Sequence, residues 1–187
     1  MKSSAPKSYD TVSRINHWVI AAAMIAMLGV GLYLNFGGLD REEEDWLQGV
    51  HMATGVLVLI YGVWRVGWRL MQGFPGPADP MPAWQEKAAA YTHWLLLAGI
   101  LLMPISGLMR ALFGDHAVDV FGLFTIPGLG EVVWLSAPAR FVHTYFGYAL
   151  VAIVLVHVAG ALKHHLIDRD GTLLRMLSGK TFGGRSD

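Results

Sequence analysis

Apolar positions gather in four nearly uncharged runs, at residues 18–36, 49–64, 94–109 and 141–162. A bilayer core of about 30 Å is crossed by roughly 20 apolar residues in a helix. Flanking aromatic and semi-polar residues extend the two shorter runs to that length. The pattern predicts transmembrane helices at approximately 14–36, 47–71, 88–111 and 139–166 within one domain, 1–187. The expected fold is an all-α membrane protein, a four-transmembrane-helix bundle, with an external loop at 112–138. Residues 117–135 are apolar too, but Asp119, Glu131, Pro127 and three glycines argue against a fifth span. A re-entrant or interfacial segment, lying as a lid over what is beneath, is expected instead. Four prolines in "FPGPADPMP" (74–82) predict a short extended connector.

Charge sets the expected orientation. Eleven of the fourteen Lys and Arg fall on one side: Lys2, Lys7, Arg14, Arg65, Arg69, Lys87, Lys163, Arg169, Arg175, Lys180 and Arg185. Arg41, Arg110 and Arg140 fall on the other. The positive-inside rule then puts both termini in the cytoplasm. A fifth span would carry the basic C-terminal tail outside. The acidic "DREEED" (40–45) reads as a solvated external loop. The first run exceeds the apolar length of a cleaved signal and no small-x-small site follows it, so it is expected to stay as a helix.

Composition narrows the chemistry. The chain is 54% hydrophobic and 15% charged and has no cysteine. That excludes disulfides, iron–sulfur ligation and haem attached through C-x-x-C-H. Ionisable residues inside spans mark functional sites by default, and histidine is the one that recurs, at 17, 51, 93, 116, 143, 157, 164 and 165. Fourteen residues make four helical turns less about 40°. His143 and His157 therefore share one face of the fourth helix, about 21 Å apart along its axis. His17 opens the first helix at the depth of His157, and His51 opens the second at the depth of His143. Two bis-histidine pairs, His17/His157 and His51/His143, suit two b-type haems, one per leaflet, each held by neutral imidazole nitrogen. On the cytoplasmic side His93, His164 and His165 compete. His164 lies beside Lys163 at the water boundary, too shallow for a macrocycle.

Haem propionates need cationic or hydrogen-bonding partners. Arg14 and Arg140 each stand three residues before a histidine and on its face. Arg65 lies fourteen after His51, on the same face at the opposite leaflet. Gly147, one turn after His143, is assigned to clearance for a haem. Pro104 is expected to kink the third helix. The seven tryptophans sit near run ends like an aromatic belt and receive no chemical role.

"RINHW" (14–18), "GVHMATG" (49–55) and "FVHTYFGYALVAIVLVHVAGALKHHLIDRDGTLLRML" (141–177) resemble the prokaryotic cytochrome b561 family over essentially the whole chain. The resemblance implies a multi-pass di-haem cytochrome of the bacterial inner membrane, with axial ligands at His17, His51, His143 and His157. It also implies electron transfer between an external one-electron donor and the quinone pool, with ubiquinone or another quinone as substrate. Some members look like superoxide:quinone oxidoreductases. External Arg110 and Arg140 would draw an anionic donor such as superoxide. His93 and His116 are candidate proton relays or quinone contacts. The expected partners are the lipid bilayer, a quinone and a small donor, with no nucleic acid; a homo-oligomer is left open. The alternatives are a cytochrome b subunit of a hydrogenase- or formate-dehydrogenase-type complex, and a non-redox metal transporter using the same imidazoles.

Overall fold

The computed structural model describes residues 9–178; Lys2, Lys7, Lys180 and Arg185 of the charge count lie outside them. Four long helices dominate: α1 (Thr11–Phe36), α2 (Arg41–Gln72), α3 (Ala83–Leu112) and α4 (Val133–Asp168). A short α5 (Thr172–Leu177) follows. Each long helix is long and apolar enough to cross a membrane. Ile25, Ile60, Leu155 and Val156 are more than half exposed on the bundle's outer faces. Hydrocarbon is the surrounding that such a surface matches.

The ends of the helices follow local chemistry. Asp10 caps α1 by accepting from the Ser13 amide (2.6 Å), and Asp40 caps α2 by accepting from the Glu43 amide (2.9 Å). Glu42, Glu43 and Glu44 fill the first turn of α2, where the helix dipole favours negative charge. Asp10 is held below its ordinary pKa chiefly by the Ser13 hydrogen bonds, with Arg69 and Arg14 adding to the effect against the cost of burial. Gly73 ends α2 at φ +68°, a conformation glycine adopts without strain.

The helices run longer than the apolar runs suggested. Polar first turns, such as "REEED" of α2, are helical but carry no hydropathy signal. α2 begins at Arg41 rather than near 47 and α4 at Val133 rather than near 139, and the second shift shortens the preceding loop. α4 is continuous but widens into π turns at Val142–Phe146 and His164–Asp168. α3 continues unbroken through Pro104 to Leu112.

The centre is closed by Ile20 and Met24 of α1, Val58 of α2, Leu97 and Ile100 of α3 and Leu150 of α4. Glycines set how near the helices approach. A Cβ at Gly62 would fall 2.7 Å from Ile100 Cγ2, and one at Gly99 would fall 2.9 Å from Leu150 Cδ1. Small residues at crossings are the usual way membrane helices reach van der Waals contact.

The segment after α3 contains no further span among the described residues. It folds into a two-stranded antiparallel hairpin, β1 (Val118–Asp119) and β2 (Thr125–Ile126). Asp119 closes its turn, accepting from the Gly122 amide (2.9 Å) and the Thr125 hydroxyl (3.2 Å). Val118 and Val120 are fully buried against Val56 and Ala111, so the hairpin plugs one end of the bundle. The opposite end, here the terminal end, carries the 73–82 connector and α5. There Arg14 donates to the Leu177 carbonyl and the Trp18 indole donates to the Met176 carbonyl, both at 3.2 Å. These are last-turn carbonyls of α5, which lack helical partners of their own.

Candidate functional site

Two histidine pairs lie inside the bundle, one toward each end. His51 of α2 faces His143 of α4 with ring centroids 6.1 Å apart, at the hairpin end. His17 of α1 faces His157 of α4, also at 6.1 Å, at the terminal end. α4 thus contributes one ring to each pair, while α1 and α2 contribute one each. Two imidazoles on opposite sides of one metal, with bonds of about 2 Å, would place their centroids about 6 Å apart.

His143 is the most firmly held of the four. It lies in the first π turn of α4, a local widening often found at functional positions. Its Nδ1 donates to the Met103 carbonyl (3.0 Å) and lies 3.3 Å from Ser106 Oγ. The Ser106 hydroxyl in turn donates to the Met103 carbonyl (2.9 Å). With the proton fixed on Nδ1, the other ring nitrogen, Nε2, is left as a metal donor. Gly107 makes room for this ring, since a Cβ there would fall 2.8 Å from His143 Cε1. At Gly147, assigned to haem clearance from the sequence, a Cβ would meet Met103 Cε of α3 at 3.3 Å.

The terminal end is richer in polar groups. His93 packs edge-on against His157 (5.5 Å) and stacks on Phe74 (5.8 Å, 5°), so three imidazoles cluster there. Arg65 and Arg69 are buried, and both lie within electrostatic reach of His17. Nε and one terminal nitrogen of Arg65 are buried without a hydrogen-bond partner. Arg69 donates to the Gly73 carbonyl (2.8 Å) and lies over the Tyr9 and Phe74 rings. Nearby, fully buried Asn16 accepts from the Tyr61 hydroxyl (2.5 Å), and the Trp68 indole donates to Ser13 (3.1 Å). Asn16, Tyr61 and Ser13 carry no role in the sequence pattern, and Trp68 is there only one of the belt tryptophans. An asparagine just before the first apolar run, within "RINHW", is the one available signal.

Other candidates are dispersed. His116 is exposed in the turn after α3 and makes no ring contact with either pair among the described residues. His164 bonds Asp170 (2.6 Å), and His165 is exposed. Arg110 and Arg140 are exposed at the hairpin end, with Arg110 in electrostatic reach of His51 and His143. Arg14 is engaged with Leu177 and Thr11 in holding α5, though its Nε is buried without a partner.

A family model described as prokaryotic cytochrome b561 matches residues 8–179. The chain belongs to that family. It is similar to cytochrome b561 homolog 2 of Escherichia coli (strain K12), at 28% identity over 180 residues and 94% of each chain. A probable superoxide oxidase CybB of Yersinia pestis is 24% identical over 176 residues, covering 93% of this chain and 98% of its own. Cytochrome b562 of Cereibacter sphaeroides is 27% identical over 165 residues, covering 86% and 89%. As a cytochrome b561, this is a multi-pass protein of the bacterial inner membrane that carries b-type haem and transfers electrons. Its residues fit such a cofactor. The ring spacing suits axial ligation, His143 has its tautomer fixed, and the orphaned nitrogens of Arg65 offer donors to an anionic edge.

Proposed function

We propose that this cytochrome b561 holds two b-type haems, one between His51 and His143 and one between His17 and His157. It would carry single electrons from a small donor at the hairpin end to a quinone in the membrane. The observation that carries this reading is the repeated 6.1 Å ring spacing at two levels of one helix. Haem bound at these places would supply reversible one-electron chemistry. His51, His143, His17 and His157 would hold the haems, which would then exchange electrons with donor and acceptor without binding either one on the metal.

The hairpin end faces the outside in this reading, and both termini face the cytoplasm. The basic residues of the terminal end support that orientation. Arg110 and Arg140 are the cations an anionic donor meets first, and they favour superoxide among donor classes. The likeness to a probable superoxide oxidase supports the same choice. Val118 and Val120 block the bundle's end, so the donor approaches beside the hairpin. Arg65 would hold an anionic substituent of the terminal-end cofactor, and His93 would buttress His157.

Purified protein should contain two haems per chain by pyridine haemochrome. His51→Ala and His17→Ala should each lose one haem and keep the other, and His93→Ala should keep both. A single haem in the intact chain, or joint loss of both in every histidine variant, contradicts the pairing. Pulsed superoxide should reduce the oxidised protein rapidly; an unchanged absorption spectrum after the pulse removes that donor.

A further inference from the structure

The two histidine pairs are not equivalent in what surrounds them. His143 Nδ1 donates to the Met103 carbonyl and has Ser106 Oγ at its flank. Among the described residues, no hydrogen bond is made by the rings of His17, His51 or His157, and the Nδ1 of His51 is buried without a partner. A ligating imidazole that donates its outer N–H to a carbonyl becomes a stronger electron donor to its metal. A stronger axial donor favours the oxidised metal and lowers the reduction potential.

Charge differs in the same sense. Arg65 (6% exposed) and Arg69 (2%) lie within reach of His17, shielded from solvent. Buried cations favour the reduced, less positive metal. Arg110 and Arg140 at the hairpin end are exposed, where salt screens them. Ligand donation thus lowers the potential at one end while buried charge raises it at the other.

We propose that these two asymmetries make the His51/His143 site the lower-potential of the two and so build a direction, hairpin end to terminal end, into the protein. The inference rests on the two-haem reading above. Ser106 acts as a positioning residue. Its hydroxyl competes for the Met103 carbonyl while its oxygen flanks Nδ1, two effects that oppose one another in donor strength. What remains is its hold on the rotation of the His143 ring.

The test is redox titration of the purified two-haem protein, followed at the α-band, with low-temperature electron paramagnetic resonance of the oxidised form. Two components should resolve. His17→Ala should retain the lower one and His51→Ala the higher. In the otherwise intact protein, Ser106→Ala should displace only the lower component and alter only one of the two resonance signals. Ser106→Thr, which keeps the hydroxyl, should restore both. Movement of the higher component, of both or of neither overturns the proposal, whether or not the histidine variants fold. So does a reversed order in the single-haem proteins. A preparation with fewer than two haems would instead overturn the two-site reading, leaving a distinguishable result.

Discussion

Arg14, in the first turn of α1, donates to the carbonyl of Leu177, the last residue of α5, across 163 positions of sequence at 3.2 Å. Trp18, one turn further on, does the same for Met176. Together they act as an external cap on a six-residue helix too short to be stable alone. The "RINHW" segment therefore presents His17 inward with two clamps for the C-terminal segment beside it. Arg14→Ala or Trp18→Phe should each weaken that attachment by about 1 kcal/mol. Faster proteolysis within 169–178, with haem content unchanged, is the expected result; loss of haem from Arg14→Ala would return Arg14 to cofactor binding.

Gly107 and Gly147 separate clearance from packing. A methyl at position 107 enters the space of the His143 ring at 2.8 Å, with contacts at 3.1 Å to Nδ1 and 3.6 Å to Nε2. Overpacking of this kind costs about 1–3 kcal/mol. Here it is relieved by turning the ring away from its partner. Gly107→Ala should lower haem occupancy at the hairpin end. Gly147→Ala meets only the flexible end of Met103 at 3.3 Å and should retain two haems. Equal occupancy in both variants would contradict the geometry.

Asp170 ties α5 to the end of α4. Burial opposes its charge, but the Thr172 amide (2.8 Å) and His164 (2.6 Å) outweigh this and hold its pKa below the ordinary 3.8. A carboxyl with a lowered folded pKa adds stability above its unfolded value and loses it as pH falls through the folded one. Protection of the 172–177 amides, taken relative to their intrinsic exchange at each pH, should therefore fall as pH drops below about 4. Asp170→Asn should show the lower protection already at neutral pH and little further loss on acidification. An acid response as large in Asp170→Asn as in the wild type would assign the effect to another group.

Arg110 and Arg140 carry the exposed positive charge near the hairpin-end histidines. Arg110→Glu with Arg140→Glu should slow reduction by superoxide about tenfold at low ionic strength. The deficit should shrink as salt is added. Stopped-flow traces at several salt concentrations check this, and a salt-independent rate in both proteins would mean the donor is not steered by charge.

Hydropathy was enough to recognise the four spans, because lipid-facing helices must be apolar along their whole buried length. It could not find their ends. The acidic first turn of α2 and the start of α4 at Val133 are helical for reasons of capping and tertiary packing. The four paired histidines were legible because helical geometry converts spacing into depth and face. The supporting contacts were not. That Met103 offers its carbonyl to His143 depends on how α3 leans on α4, which no interval within one helix encodes. Arg14 shows the converse: a residue on the right face also reaches a segment 163 positions away, a contact that no interval within one helix encodes.

Because α4 lends a ring to both levels of the bundle, the stretch from His143 to His157 behaves as a ruler cut to one length. Side chains within it that face away from the core, unlike Leu150, can be exchanged, but adding or deleting one residue would swing a ring through about 100° and blind it to its opposite number. Added residues in an exposed loop would leave both pairs facing; an added residue among these fourteen steps would not.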